Sequence, residues 1–181
     1  MINLFDTAKR ILNPFFAKRH LLGDDNLFSI NNILSKTAAL AFIRAIDKGI
    51  KEKIEKLKDI DWTKDNTLPN FPKSFLDEYG LEDKPILLKK NIIEKNKLNH
   101  PDITEEEARR IIGNALYKPE TILKANPNKP AYHNFISRTD DKHSDIVLLE
   151  LSDEKENYEV INYHIINNPA RDRKVNIHKK S

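Results

Sequence analysis

The stretch 131–166 reads AYHNFISR TDDK HSDIVLLEL SDEKEN YEVINYHII, and the fold is decided there. Three runs rich in β-branched and aromatic residues, 131–138, 143–151 and 158–166, are separated by the short polar links 139–142 and 152–157. Consecutive strands joined by links this short pair as antiparallel hairpins. The middle run carries Ile146-Val147-Leu148-Leu149 without a polar break, which places it at the centre of the sheet.

Working upstream, Lys84 to Lys89 reads as a further short strand, and Glu120 to Lys124 as either a short strand or a turn before the loop 125–130. Between them lie two helices. Asn91 to Leu98 has Ile92, Ile93 and Leu98 at helical spacing and stops before His100-Pro101. Thr104 and Glu107 have the spacing of a capping box, which opens a helix through Ala108, Ile111, Ile112, Ala115 and Leu116 that ends at Pro119. The order β-α-α-β-β-β over 84–170 predicts an α+β domain, with two helices packed on a four-stranded, mainly antiparallel sheet.

The remaining segments differ in character. Residues 61–83 hold Pro69, Pro72 and Gly80 and read as an irregular connection, pinned to a core by Phe71, Phe75, Leu76 and Tyr79. Residues 1–60 form a helical N-terminal region. Leu4, Ala8, Ile11 and Leu12 share a face before Pro14, and from Ser29 to Ile50 apolar residues run nearly all round a helix. A helix that apolar is buried. Its cover is either the C-terminal half or, through residues 29–50, a second copy or a larger parent polypeptide. Residues 171–181 are a basic tail, with Arg171, Arg173, Lys174, Lys179 and Lys180 against Asp172.

Composition excludes several function classes. Among 181 residues there is no cysteine, so disulfides, thiolate zinc sites and cysteine nucleophiles are ruled out. With four glycines and neither GxxxxGK[ST] nor GxGxxG, phosphate-cradling loops have no support. No HExxH spacing invites a metal, and no GxSxG elbow invites a serine nucleophile. A net charge of +3 does not by itself name a polyanion partner. No apolar run approaches the roughly 20 residues of a membrane span, and the N-terminus lacks a signal-peptide pattern. The expectation is a soluble protein, cytoplasmic by default, with no membrane partner.

The segment PILLKKNIIEKNKLNHPD (85–102), the turn Lys118-Pro119-Glu120-Thr121-Ile122 and the strands Asp145–Glu150 and Tyr158–His164 carry a resemblance. In order and wording they resemble phage-associated nuclease domains of the Barnase–EndoU–Colicin–RelE-like (BECR) group, often fused to MuF-type phage head-morphogenesis proteins. The resemblance covers residues 84–170. It implies a metal-independent ribonuclease, toxin- or effector-like, that needs no cofactor and uses the ribose 2′-hydroxyl of its RNA as nucleophile. It further implies RNA, tRNA included, as partner, an immunity protein or antitoxin, and delivery by phage or secretion. Members that have lost activity would serve as binding modules.

Such cleavage needs a base for the 2′-hydroxyl, an acid for the leaving 5′-oxygen and a cation for the phosphorane. Histidine suits the first two roles, because it titrates near neutrality. The C-terminal half offers His100, His133, His143, His164 and His178. Strand alternation puts Val160, Asn162 and His164 on one face and Ile161, Tyr163 and Ile165 on the other. On the first hairpin strand Tyr132, Asn134, Ile136 and Arg138 share a face. The candidate catalytic set is His100, His164, Arg138 and Lys95, with Lys89, Lys90, Asn162 and Arg171 as substrate contacts. Plainer roles compete at each position: His100 as a helix end, Lys95, Arg138 and the tail as solvated charges, His164 as a structural ring. His143 reads as a turn residue beside Asp141 and Asp145, and His133 as packed in the sheet. The rival functions are a non-catalytic interaction module working through residues 29–50, and DNA binding through the strands and tail.

Overall fold

The computed structural model describes residue 41 and residues 44–172. The expected N-terminal helices up to residue 40, the tail beyond Asp172 and His178 lie outside the described residues. The chain divides into two compact units, 1–49 and 50–181. In the first, residues 44–49 are helical. Among the described residues no helix is long and apolar enough to cross a membrane.

The second unit opens with helical residues 50–55 and a 3-10 turn, Lys56–Asp59. Then come β1 (Asn66–Leu68), α1 (Lys73–Tyr79), β2 (Ile86–Leu88), α2 (Lys90–Asn99) and α3 (Glu105–Tyr117). Four strands follow: β3 (Thr121–Asn126), β4 (Lys129–Arg138), β5 (His143–Glu150) and β6 (Tyr158–Asn167). They form one sheet in the order β1-β2-β6-β5-β4-β3. All neighbours are antiparallel except β2 and β6, which run parallel.

The α+β class therefore stands, and the expected four-stranded sheet is corrected to a six-stranded mixed one. The hairpins of 131–166 appear as read, with β5 flanked on both sides. The ambiguous segment 120–124 is the edge strand β3, and the expected loop 125–130 shrinks to the tight turn Pro127-Asn128. β1 went unread because three residues beside Pro69 and Asn70 are too few to display a period of two. Residues 61–83 supply a strand and a helix as well as the pinning aromatics. Phe71 stacks on Phe75 and on Phe135, with ring centroids 4.6 and 5.6 Å apart.

One sheet face carries the core. Ala108, Ile111, Ile112, Ala115 and Leu116 of α3 are buried against Phe135, Val147, Leu149 and Tyr163. The capping box fixes where α3 begins, since Thr104 Oγ1 accepts from the Glu107 N–H and Glu107 Oε2 accepts from the Thr104 N–H. Gly113 lies mid-helix because a Cβ there would stand 3.2 Å from Leu57 Cδ1, so its absence lets residues 54–57 approach α3. Gly80 closes α1 in the left-handed region at φ 63°, where a Cβ is costly. Asp145, fully buried on β5, accepts from Arg110 Nη1 at 2.7 and 2.8 Å and from Asn114 Nδ2 at 2.9 Å, which ties α3 to the sheet.

A bulge in β6 changes one expectation. Leu148 pairs with Asn162 and Leu149 with Val160, so Ile161 is the extra residue. Val160 consequently joins Tyr163 in the core instead of sharing a face with Asn162 and His164. Asn162 and His164 remain together on the second face, opposite Leu148 and Ile146. Asn168 reaches back over that face, its Oδ1 accepting from Ser144 Oγ at 2.7 Å.

Candidate functional site

β2 pairs with β6 only through Ile86–Tyr158 and Leu87–Glu159, so the edge of β6 beyond Glu159 is left to another element. α2 takes it. The Lys90 N–H at its start donates to Asp65 Oδ1 at 2.7 Å, and two turns later Asn96, only 3% exposed, donates from Nδ2 to the Tyr163 carbonyl at 3.0 Å. Asn96 thus satisfies a strand-edge carbonyl that β2 is too short to reach. His100 lies four residues further on the same helix face, and its N–H closes the last turn on the Asn96 carbonyl at 2.8 Å. Its ring comes to rest on His164, with centroids 5.5 Å apart and planes 5° from parallel. The helical layer and the meander meet at this pair.

Beside the pair lies a shallow cleft of ≈ 260 Å³, open solvent included. His100, Asn96 and Lys97 form its α2 wall, Thr104, Glu105 and Ala108 its α3 wall, and Trp62 and Tyr163 also line it. Lys97 Nζ meets Glu105 Oε1 at 3.1 Å, an ion pair that joins the two walls. Burial pushes the Tyr163 phenol up, so it stays neutral at physiological pH.

Trp62 is held by its own loop. The Asp61 N–H donates to Asn66 Oδ1, and Asn66 Nδ2 donates back to the Asp61 carbonyl, both at 2.8 Å. Arg109 covers the indole, its Cζ 5.7 Å from the ring centroid. The Asp61 carboxyl is drawn down from 3.8 to about 2, chiefly by hydrogen bonds from the Thr63 hydroxyl and N–H, with Lys64 adding to them. A carboxyl depressed by folding contributes stability above its unfolded value and loses it as pH falls through the folded one. The loop should therefore loosen between about pH 4 and about pH 2. Trp62 is the sole tryptophan in the chain, so its fluorescence maximum should move to the red in that window. Asp61→Asn should abolish that step, and an unchanged step in the variant would contradict the assignment.

Of the residues singled out in the sequence, the structure joins His100 with His164, with Asn162 on the same face as His164. Lys95 is exposed and lies about 100° around α2 from Asn96. Lys97, one turn before His100, is the lysine in the cleft. Arg138 is exposed at the end of β4, on His164's face but two strands across and one row further, about 12 Å away at ordinary strand spacing. Lys89 and Lys90 lie at the opposite end of α2, about 15 Å from His100. Lys89 binds Glu159 at 2.9 Å and holds its carboxyl below the usual range, while Lys90 lies 3.6 Å from Glu94. Arg171, its side chain 12% exposed, is engaged with Glu120 and Asp172 at 3.3 Å. His143 caps its turn against Asp140 at 3.1 Å, and His133 Nδ1 lies 3.2 Å from the Ala131 carbonyl. Among the described residues no three His, Asp or Glu side chains converge as metal ligands.

Trp62, Asn96, Lys97, Glu105 and Tyr163 went unread as site residues. Asn96 had a signal, because a polar residue between Ile92/Ile93 and His100 occupies the inward position of α2. Trp62 had none, since its loop has no period to place it.

A family model described as large polyvalent protein-associated domain 13 matches residues 50–177. The chain belongs to this family. The span of large polyvalent protein-associated domain 13 takes in the whole described part of the second unit, from Ile50 through the cleft to β6. It therefore begins well before residue 84 and includes Trp62, which helps to explain why 61–83 folds with the sheet. Comparison with curated proteins and with solved structures finds no match.

Proposed function

We propose that this domain is a metal-independent ribonuclease of the BECR kind, toxin- or effector-like, that cleaves RNA by attack of the ribose 2′-hydroxyl. The observation that carries the reading is the meeting of His100 and His164, from two separate layers, beside a cleft with a lysine in its wall. With centroids 5.5 Å apart, the rings leave no space for a phosphate between them. They present their edges side by side, so a scissile phosphate lies across both edges. One neutral imidazole takes the 2′-hydroxyl proton as the bond from O2′ to phosphorus forms. The other, protonated, gives its proton to the 5′-oxygen as the bond from phosphorus to O5′ breaks. The products are a 2′,3′-cyclic phosphate and a 5′-hydroxyl. Lys97 is the cation nearest the pair for the phosphorane charge. Lys95 and Arg138 lie too far for the reacting phosphate and would meet its neighbours along the strand, with Asn162 between.

RNA, tRNA included, is the substrate on this reading, with no cofactor. An immunity protein or antitoxin is the partner a producing cell would need, and the site of action is cytoplasm, reached directly or by delivery. The family's association with large polyvalent proteins favours the second reading, a non-catalytic module of a larger chain working through residues 29–50. The test is incubation of the purified protein with tRNA and total RNA in excess EDTA. Cleavage is expected. Intact RNA under these conditions would leave the interaction module as the better reading.

A further inference from the structure

Two buried polar atoms in the cleft have no hydrogen-bond partner among the described residues: Trp62 Nε1, on a side chain 7% exposed, and Asn96 Oδ1, on one 3% exposed. Native proteins rarely leave such groups unmet. One is a donor and the other an acceptor, and both line the same small space. A ligand that satisfies both must offer an acceptor next to a donor. A phosphate dianion offers acceptors only and would leave Asn96 Oδ1 unmet. Every nucleobase has the required edge, a ring N–H or amino group beside a ring nitrogen or carbonyl. The cleft is below the 300–1,000 Å³ of ordinary small-molecule pockets, which limits it to about one flat ring.

We infer that this cleft is a base-binding subsite, in which Trp62 Nε1 donates to and Asn96 Oδ1 accepts from the edge of one nucleobase, with Lys97 at the rim for its phosphate. It rests on the proposed ribonuclease reading, because it is the cationic rim and the neighbouring histidine pair that favour a nucleotide over a peptide amide. The Lys97–Glu105 pair controls entry. Both side chains are half exposed, 50% and 51%, so parting them costs little. Lys97, once released, exchanges the Glu105 carboxylate for phosphate.

The sole tryptophan makes the subsite observable in the full chain. Uridine 3′-monophosphate and the three other nucleoside 3′-monophosphates are titrated while Trp62 fluorescence is followed. Ribose 5-phosphate, inorganic phosphate and N-acetylglycinamide serve as comparisons. A saturable change with at least one nucleotide, and none with the three comparison compounds, is expected. By calorimetry Trp62→Phe, which keeps a ring against Arg109 and loses only the donor, should weaken binding about tenfold or more. Glu105→Gln should tighten it by about two- to fivefold, and this keeps the test open if Trp62→Phe fails to fold. No response to any nucleotide, an equal response to ribose 5-phosphate or to N-acetylglycinamide, or undiminished binding by folded Trp62→Phe would overturn the inference. Nucleotide binding without RNA cleavage removes the catalytic reading alone. Cleavage without nucleotide binding removes this subsite alone.

Discussion

His100→Ala should lower the rate of RNA cleavage in EDTA by about 10²- to 10⁴-fold, the usual worth of a positioned acid or base. His164→Ala should do the same. The stronger statement concerns the two together. Their rings touch, with centroids 5.5 Å apart, and on the proposed mechanism they serve opposite ends of one displacement. Groups that act as a unit are non-additive, so the double variant should lose little more than the worse single one. His100 caps α2 through its backbone N–H, and alanine keeps that bond. The folded state should therefore survive, and activity should fall without a matching fall in thermal midpoint. Undiminished cleavage by both single variants would end the catalytic assignment.

Arg110→Ala should destabilise the fold by about 3–5 kcal/mol, because it strips the guanidinium from a carboxylate that has no access to water. Asp145 would keep only Asn114 as a side-chain donor. The reverse change is gentler for a physical reason. After Asp145→Ala the guanidinium, on a side chain 35% exposed, can turn to solvent and recover hydration. The expected order in urea unfolding is thus Arg110→Ala worse than Asp145→Ala. The opposite order would mean that the carboxylate is less isolated than its burial implies. Neither residue lines the cleft, so an activity loss in either variant should track the fraction unfolded.

Much of this fold was legible because its largest elements obey simple periods. The apolar run 146–149 could only be a central strand, and the capping box fixed the start of α3 to the residue. What escaped was short or context-dependent. β1 has three residues, and β3 alternates weakly because an edge strand has less to bury. The bulge at Ile161 is invisible in a single strand, since it exists only relative to the register of β5. The site was half legible by the same logic. His100 and His164 were named from their positions at a helix end and on a strand face. Their meeting depends on β2 stopping early and α2 filling the vacated edge, a tertiary event. Lys95 and Lys97 could not be separated until Asn96 showed which side of α2 faces inward.

The central claim is that His100 and His164 together pass protons across a ribose-phosphate. Mapping the ends of RNA cleaved in EDTA tests it most directly. The account predicts 2′,3′-cyclic phosphate and 5′-hydroxyl termini from the wild-type protein, with both lost in His100→Ala. Termini bearing 5′-phosphate, or cyclic ends that persist at full yield in His100→Ala, would contradict it.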